Sequence, residues 1–323
     1  MLMKAFVYTE YGPPGVLESK EVEQPTPKEN EVLVNVHAAS INSWDWDLLR
    51  GRPIEVRLWG LLKPKYNIPG ADIAGRVASV GRNVKQFQPG DEVFGDLCGC
   101  GWGGFAEYVC ADENALAPKP ASLTFENAAA VPQAGLMALQ GLRDKGQIQS
   151  GQQVLINGAG GGVGTFAVQI AKSVGAEVTG VDSTSKLDMV RSIGADHVID
   201  YTREDFTLNP QRYDLILDVA AYRSVFDYKR VLSPNGTYVV VGGSLARIFQ
   251  TLFLGPWISL TESKKMVLLA AKPNKDLGFM TELLVAGTVV PVIDRFYAFN
   301  EVPEALGYFG EGNVKGKVVI TLK

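Results

Sequence analysis

The stretch that decides the fold is Gln153-Val154-Leu155-Ile156-Asn157-Gly158-Ala159-Gly160-Gly161-Gly162-Val163-Gly164-Thr165-Phe166-Ala167-Val168-Gln169-Ile170-Ala171-Lys172. It opens as a short apolar strand, Gln153–Asn157, passes through a turn of small residues and enters an apolar-periodic helix over Gly164–Val174. Within the turn, Ala159-x-Gly161-x-x-Gly164 has dinucleotide-fingerprint spacing, with Ala in the place of the first glycine. Small residues are needed there because backbone N–H groups must approach a pyrophosphate, whose charge the helix N-terminus then favours. A glycine motif alone also describes a flexible loop; the strand before it and the helix after it favour the dinucleotide reading. Ala159, Gly160, Gly161, Gly162, Val163 and Gly164 are therefore candidate cofactor-binding residues. Asp182 closes the next strand, eighteen residues after Gly164, where an acidic side chain accepts hydrogen bonds from a ribose. Gly242, directly after the strand Thr237–Val241, joins the cofactor-side set.

Downstream the rhythm continues. Glu177–Val181, His197–Ile199, Asp214–Val219, Thr237–Val241 and Lys265–Ala271 read as strands, and Lys186–Ile193, Ser224–Leu232 and Asp276–Ala286 as helices. Such alternation implies βαβ units and a parallel sheet. Upstream, Lys4–Tyr8, Glu31–Ala38, Gly75–Val80 and Glu92–Phe94 are short runs punctuated by Gly, Pro, Asn and Asp, as in a compact β domain. A helix begins at Thr124, is disturbed at Pro132, and the tail Lys317–Leu322 is a strand.

The 323 residues suggest two domains at roughly 100–200 residues each. Lys plus Arg number 31 and Asp plus Glu 35, a net charge of −4, which lacks the basic footprint of a nucleic-acid binder. Three cysteines fit a reducing compartment better than a disulfide scaffold, and the N-terminus has no signal-like apolar run, so a cytoplasmic protein is expected. His37 and His197, the two histidines, leave little for a His-based metal site or a catalytic triad. Ile248–Leu260 is uncharged but has thirteen residues and a Gly255-Pro256 break, whereas a membrane span needs about 20. It reads as a buried segment or pocket wall, with a lipid-facing or subunit-facing patch as the alternative.

Several further stretches stand in a telling order: Ala39-Ser40-Ile41-Asn42-Ser43-Trp44-Asp45, Gly70-Ala71-Asp72-Ile73-Ala74-Gly75-Arg76-Val77, Pro89-Gly90-Asp91-Glu92-Val93, Gly103-Gly104-Phe105-Ala106-Glu107-Tyr108 and Val131-Pro132-Gln133-Ala134-Gly135. After the glycine turn come Gly194-Ala195-Asp196-His197-Val198-Ile199-Asp200-Tyr201, Pro291-Val292-Ile293-Asp294 and Gly316-Lys317-Val318-Val319. With these motifs nearly the whole chain resembles the medium-chain dehydrogenase/reductases, in their zinc-independent quinone oxidoreductase-like branch. The resemblance implies an α/β protein: a GroES-like β domain over residues 1–123, completed by the C-terminal segment 287–323, and a doubly wound Rossmann domain over 124–286. It implies NAD(P)H-dependent reduction of small quinones, enones or related carbonyl compounds, in a homodimer.

Zinc sites need Cys, His or carboxylate ligands in a tetrahedral set. Zinc-dependent relatives carry a Cys in the stretch matching Ile41–Asp45 and a His after the glycine matching Gly70; this chain has Asn42 and Ala71. Cys98, Cys100 and Cys110 are too few and wrongly spaced for the structural zinc lobe. No zinc is expected. Asn42 then becomes the candidate catalytic donor, with a plain turn asparagine as the other reading. Asp72 reads as a fold-supporting hydrogen-bond acceptor. Trp44, Trp46 and Tyr66 are either stacking surfaces for a flat substrate or core. Relatives carry Tyr where Asp47 stands and Thr where Met137 stands.

Cofactor choice is divided. Asp182 repels a 2′-phosphate and points to NAD(H). Ser183, Thr184 and Lys186 offer donors and charge to one. NADPH-using relatives grip the 2′-phosphate with a Lys in this loop and a Tyr fifteen residues later, a spacing that Lys186 and Tyr201 share. NADP(H) is favoured and NAD(H) remains open. Alternatives are an alcohol dehydrogenase or carbonyl reductase, and a low-turnover cofactor-binding, membrane-associated interaction protein.

Overall fold

The computed structural model describes residues 1–323, the side chains of Glu55 and Trp59 excepted. The chain divides into two units. The first holds Met1–Gln133, Pro273–Val285 and Ile293–Lys323; the second holds Ala134–Lys272 and Ala286–Val292.

In the first unit a sheet runs in the order Ile293–Ala298, Lys317–Thr321, Glu31–Ile41, Asp72–Val80, Glu92–Asp96 and Ala117–Pro118, with Tyr108–Asp112 also paired to Glu31–Ile41. Leu2–Val7 and Glu18–Glu23 form a separate antiparallel hairpin. The core packs Val32, Val34, Val36, Ile73, Val93, Phe105, Val318 and Ile320. Register places the polar residues. Ser40 lies opposite Asp72, Asp72 opposite Asp96, and Ile41 opposite Val318, so Lys317 arrives where the long strand ends.

In the second unit six parallel strands run in the order His197–Asp200, Glu177–Asp182, Gln153–Asn157, Tyr213–Asp218, Leu232–Val240 and Lys265–Leu268. The helix Gly162–Ser173 buries Phe166, Ala167, Val168, Ile170 and Ala171. That face is why its sequence repeats with helical period.

Two expectations require correction. The first is the set of unit boundaries. Residues 124–133 stay with the first unit, where the Gln133 N–H donates to the Asp72 carboxylate at 3.1 Å. Residues 273–285 do too, because Asn274 exchanges two hydrogen bonds with the Asp96 backbone, both 2.8 Å. Residues 286–292 belong to the second unit, where Gln169 binds the Val290 backbone in both directions at 2.9 Å.

The second is the apolar stretch. Residues 248–260 are neither wholly buried nor broken at Gly255-Pro256; they lie in one helix, Leu245–Thr261. Gly255 serves close approach rather than a break: a Cβ there would meet the Met266 carbonyl oxygen at 2.8 Å. Thr251, Gly255 and Ile258 face inward, while Phe249, Leu252, Phe253, Trp257 and Leu260 are exposed. No helix among the described residues is long and apolar enough to cross a membrane.

Candidate functional site

The glycine turn forms at the C-terminal end of the strand Gln153–Asn157. Gly158 takes φ +82°, a conformation that disfavours side chains, and its carbonyl accepts the Gly161 N–H at 3.1 Å. A Cβ on Gly164 would stand 2.1 Å from the Gly158 oxygen, so only glycine lets the helix pack this close. At Gly161 the same Cβ would meet only the Gly158 oxygen, at 3.5 Å. That space is open. Gly161 is the N-cap, no side chain caps the helix, and no acidic residue stands in the first turn. The N–H groups of the first turn lack intrahelical partners, and the helix dipole adds positive potential there. An uncapped helix start beside open space fits a pyrophosphate. Gly162 and Val163 are half-buried within that turn, and Ala159 hydrogen-bonds through its N–H to Val181.

Asp182 is nearly buried and already occupied. Its carboxylate accepts the Gly160 N–H at 2.7 Å and the Ser183 N–H at 2.8 Å, with the Lys186 ammonium 3.9 Å away. Lys186 is not a solvated lysine: it is 8% exposed, and its side chain covers Gly160. The Thr184 hydroxyl donates to Asp200, which also takes both donors of Thr202; these bonds hold the Asp200 carboxyl below its usual range. The Ser183 hydroxyl lies 3.4 Å from that of Ser185. Tyr201 is exposed, bound through its N–H to the Asp182 carbonyl, with its ring 6.0 Å from that of Tyr222. Gly242 accepts the Ala221 N–H at 2.9 Å.

Beneath the turn lies a network that sequence reading missed. Asp218 ends its strand fully buried. Asn157 donates to it at 2.7 Å and the Tyr238 hydroxyl at 2.8 Å, and the Asn157 amide also donates to the Tyr228 hydroxyl at 3.2 Å. Burial pushes the Asp218 carboxyl up to about 6, against the pull of these donors. Asn157 stands in the quoted stretch, but only the parallel pairing of Asn157 with Asp218 exposes its role.

In the first unit, Asn42 follows the long strand and is the N-cap of the helix Ser43–Arg50. Asn42 and Asp45 form a capping box at this helix start. The Asn42 Nδ2 donates to the Asp72 carboxylate at 2.9 Å, and its Oδ1 accepts from the Lys317 ammonium at 2.5 Å. Lys317 also reaches the Ile41 carbonyl at 3.2 Å and lies 3.5 Å from Asp72. Asp72 further accepts the Gln133 N–H, as an acceptor supporting the fold should. Asp45 takes the N–H groups of Asn42 at 2.8 Å and Gly70 at 3.1 Å. All these side chains are buried, Asp45 and Asp72 at 0% exposure and Lys317 at 2%. Burial pushes the Asp45 carboxyl up to about 7 and raises Asp72, with Lys317 opposing both; burial lowers the Lys317 ammonium while Asp72 holds it up.

The aromatic candidates divide. Trp44 and Tyr66 pack on Leu48, Val56, Ala71 and Trp102, and Trp46 lies under the Arg50 guanidinium at 4.5 Å. The His37 ring lies 4.2 Å from that of Phe125, tilted by 30°, and His197 pairs with Glu177, so neither joins these groups.

Zinc does not fit this centre. Asn42 and Ala71 offer no metal-ligand set, the Asn42 oxygen is held by an ammonium, and that ammonium repels a dication. Among the described residues no three His, Cys, Asp or Glu are grouped to hold a metal.

Residues 28–121 match the alcohol dehydrogenase GroES-like domain, and residues 193–320 match the family described as zinc-binding dehydrogenase. A 2-methylene-furan-3-one reductase of Solanum lycopersicum is 34% identical over 98% of this chain and 79% of its own. The chain belongs to the medium-chain dehydrogenase/reductases, among their quinone oxidoreductase-like members. A chloroplastic NADPH-dependent alkenal/one oxidoreductase of Arabidopsis thaliana is 32% identical over 98% of this chain and 79% of its own. The quinone oxidoreductase of Coxiella burnetii has the same fold, with a TM-score of 0.89 at 28% identity and full coverage of both chains. This member of the family is thus an α/β oxidoreductase with a GroES-like unit and a parallel-sheet, Rossmann-like unit.

Proposed function

We propose that the protein reduces quinones, enones or related carbonyl compounds with NAD(P)H and without zinc. The observation that carries this reading is the uncapped helix start at Gly161, with open space where a side chain would stand. Ala159 to Gly164 would hold the pyrophosphate, with Gly242 beside them. When bound, the reduced nicotinamide supplies the hydride. A carbonyl carbon or the β-carbon of an enone would accept that hydride, with the displaced electron pair passing to the substrate oxygen. Asn42, whose amide has one N–H beyond the bond to Asp72, is the donor proposed to meet that oxyanion. Solvent supplies the proton.

NADPH is the favoured cofactor. Asp182 spends its carboxylate on Gly160 and Ser183, and Lys186 lies beside it, which reduces the repulsion a 2′-phosphate meets. The relative named for NADPH supports the same choice. A homodimer is part of the proposal: the exposed face of the helix Leu245–Thr261 lies next to the edge strand Lys265–Leu268, two surfaces that a second copy would cover. The three free thiols suit a reducing compartment such as the cytoplasm.

The test is a panel of quinones, enones, aldehydes and alcohols, followed by loss of reduced-cofactor absorbance, with elemental analysis of the same protein. Turnover with quinones or enones, undiminished by a chelator, is expected. Turnover confined to alcohols and aldehydes would move the reading to an alcohol dehydrogenase or carbonyl reductase. Cofactor affinity without turnover would move it to a binding protein.

A further inference from the structure

We propose that Lys317 is the positioning residue of the reductive centre, a resident ammonium that orients and polarises the Asn42 amide through its oxygen. The inference rests on the reading of Asn42 as the oxyanion donor. An amide bridging an ammonium and a carboxylate has its rotamer fixed from both ends: Lys317 Nζ at Oδ1, 2.5 Å, and Asp72 at Nδ2, 2.9 Å. No flip of the amide satisfies both partners, because an ammonium only donates and a carboxylate only accepts. The cation withdraws electron density through the carbonyl, which makes the second Nδ2 hydrogen a stronger donor, as hydrogen-bonded chains polarise one another where the dielectric is low. Burial is what makes this effective. At 2% exposure the ammonium is screened by little water, and its carbonyl contact to Ile41 keeps it at the strand end.

The charge must be placed there against a cost. A lone buried ammonium is expensive, and Asp72 at 3.5 Å compensates it. The backbone groups that bind Asp45 and Asp72, from Asn42, Gly70 and Gln133, would keep both carboxylates in place for folding alone. A lysine spanning from the C-terminal strand to the Asn42 oxygen adds something those bonds do not: a fixed positive charge behind the proposed donor, at a centre whose residues do not fit zinc.

The experiment compares kcat, KM and NADPH affinity for wild type, Asn42→Ala, the charge-neutral pair Lys317→Met/Asp72→Asn, and all three changes together. One enone or quinone from the panel serves as substrate, and circular dichroism checks the fold. Removing an oxyanion donor costs about 100- to 1000-fold in kcat, and mispositioning it less. The pair variant is expected to lose about 10- to 100-fold in kcat, with NADPH affinity essentially unchanged. Added to Asn42→Ala it should cost little more, because both act through one amide. Wild-type kcat in the pair variant, with Asn42→Ala impaired, would overturn the positioning role and leave the donor reading standing. Full multiplication of the two losses would do the same. Wild-type kcat in Asn42→Ala would overturn the donor reading, and the positioning role with it. If the pair variant does not fold, Lys317→Gln combined with Asp72→Asn carries the comparison, since it keeps a donor toward the Asn42 oxygen and an acceptor toward its amide while removing both charges. Its kcat should fall between wild type and Asn42→Ala, and wild-type kcat would overturn the part assigned to the ammonium.

Discussion

Asp72 in the first unit is buried beside an ammonium, whereas Asp218 in the second is buried among an asparagine amide, a tyrosine hydroxyl and a backbone N–H, all neutral. Both carboxylates sit where a strand meets a proposed functional group: Asp72 behind Asn42, Asp218 beneath the glycine turn. The first unit compensates charge with charge, and its parts come from Ser40, Asn42, Asp72, Gln133 and Lys317. At Asp218 the second relies on neutral donors, and the start of its helix Gly162–Ser173 offers backbone N–H groups to a pyrophosphate.

Breaking the charge pair has the largest expected effect. Lys317→Met alone leaves Asp72 without its cation, and breaking a buried pair costs about 3–5 kcal/mol. Adding Asp72→Asn should recover most of that, since replacing both partners is far cheaper. Urea unfolding of the single and double variants checks it; equal losses would show that the pair is not a unit.

Asp218 gives the next effect. Its folded carboxyl is raised to about 6 from an ordinary 3.8, so the protonated form is the one the fold prefers. That preference contributes stability in full below about pH 4 and is lost as pH rises through about 6. At roughly 1.4 kcal/mol per unit, the loss from this group is about 3 kcal/mol. Stability of wild type and Asp218→Asn, measured from pH 4 to 7, should differ in slope over that window. Parallel curves would mean that the neutral donors hold the carboxylate as well as a cation does.

Gly164→Ala forces a Cβ to 2.1 Å from the Gly158 oxygen, an overpacking expected to cost about 1–3 kcal/mol. Gly161→Val meets open space, so its melting temperature should stay near that of wild type while NADPH affinity falls. A cofactor titration that leaves Gly161→Val unchanged would contradict the pyrophosphate assignment.

The smallest effect concerns cofactor choice. Lys186 is buried, so Lys186→Ala should weaken NADPH by about 1–2 kcal/mol, more than an exposed pair would, and weaken NADH less. Asp182→Ser frees the Gly160 N–H as well as removing a charge, so it should weaken both cofactors rather than trade one for the other. kcat/KM with each cofactor for both variants is the measurement. Equal losses of both cofactors in Lys186→Ala would make that lysine structural.

The glycine turn, the parallel βαβ rhythm and the lack of zinc ligands at Asn42 and Ala71 were legible in the amino-acid order. These are local properties: a strand, a turn of small residues and a helix are neighbours in the chain, and their periods and turn residues are written in order. The apolar stretch 248–260 shows the limit of such reading, because which face of a uniformly apolar helix is buried depends on what packs against it. That Lys317 meets Asn42, a contact across 275 positions, comes from the folded chain. The Gly316-Lys317-Val318-Val319 motif gave no hint of a buried ammonium. What places it there is the antiparallel register of Val318 on Ile41, and that register follows from the packing of Val318 and Ile320 into the core rather than from any signal near the lysine itself.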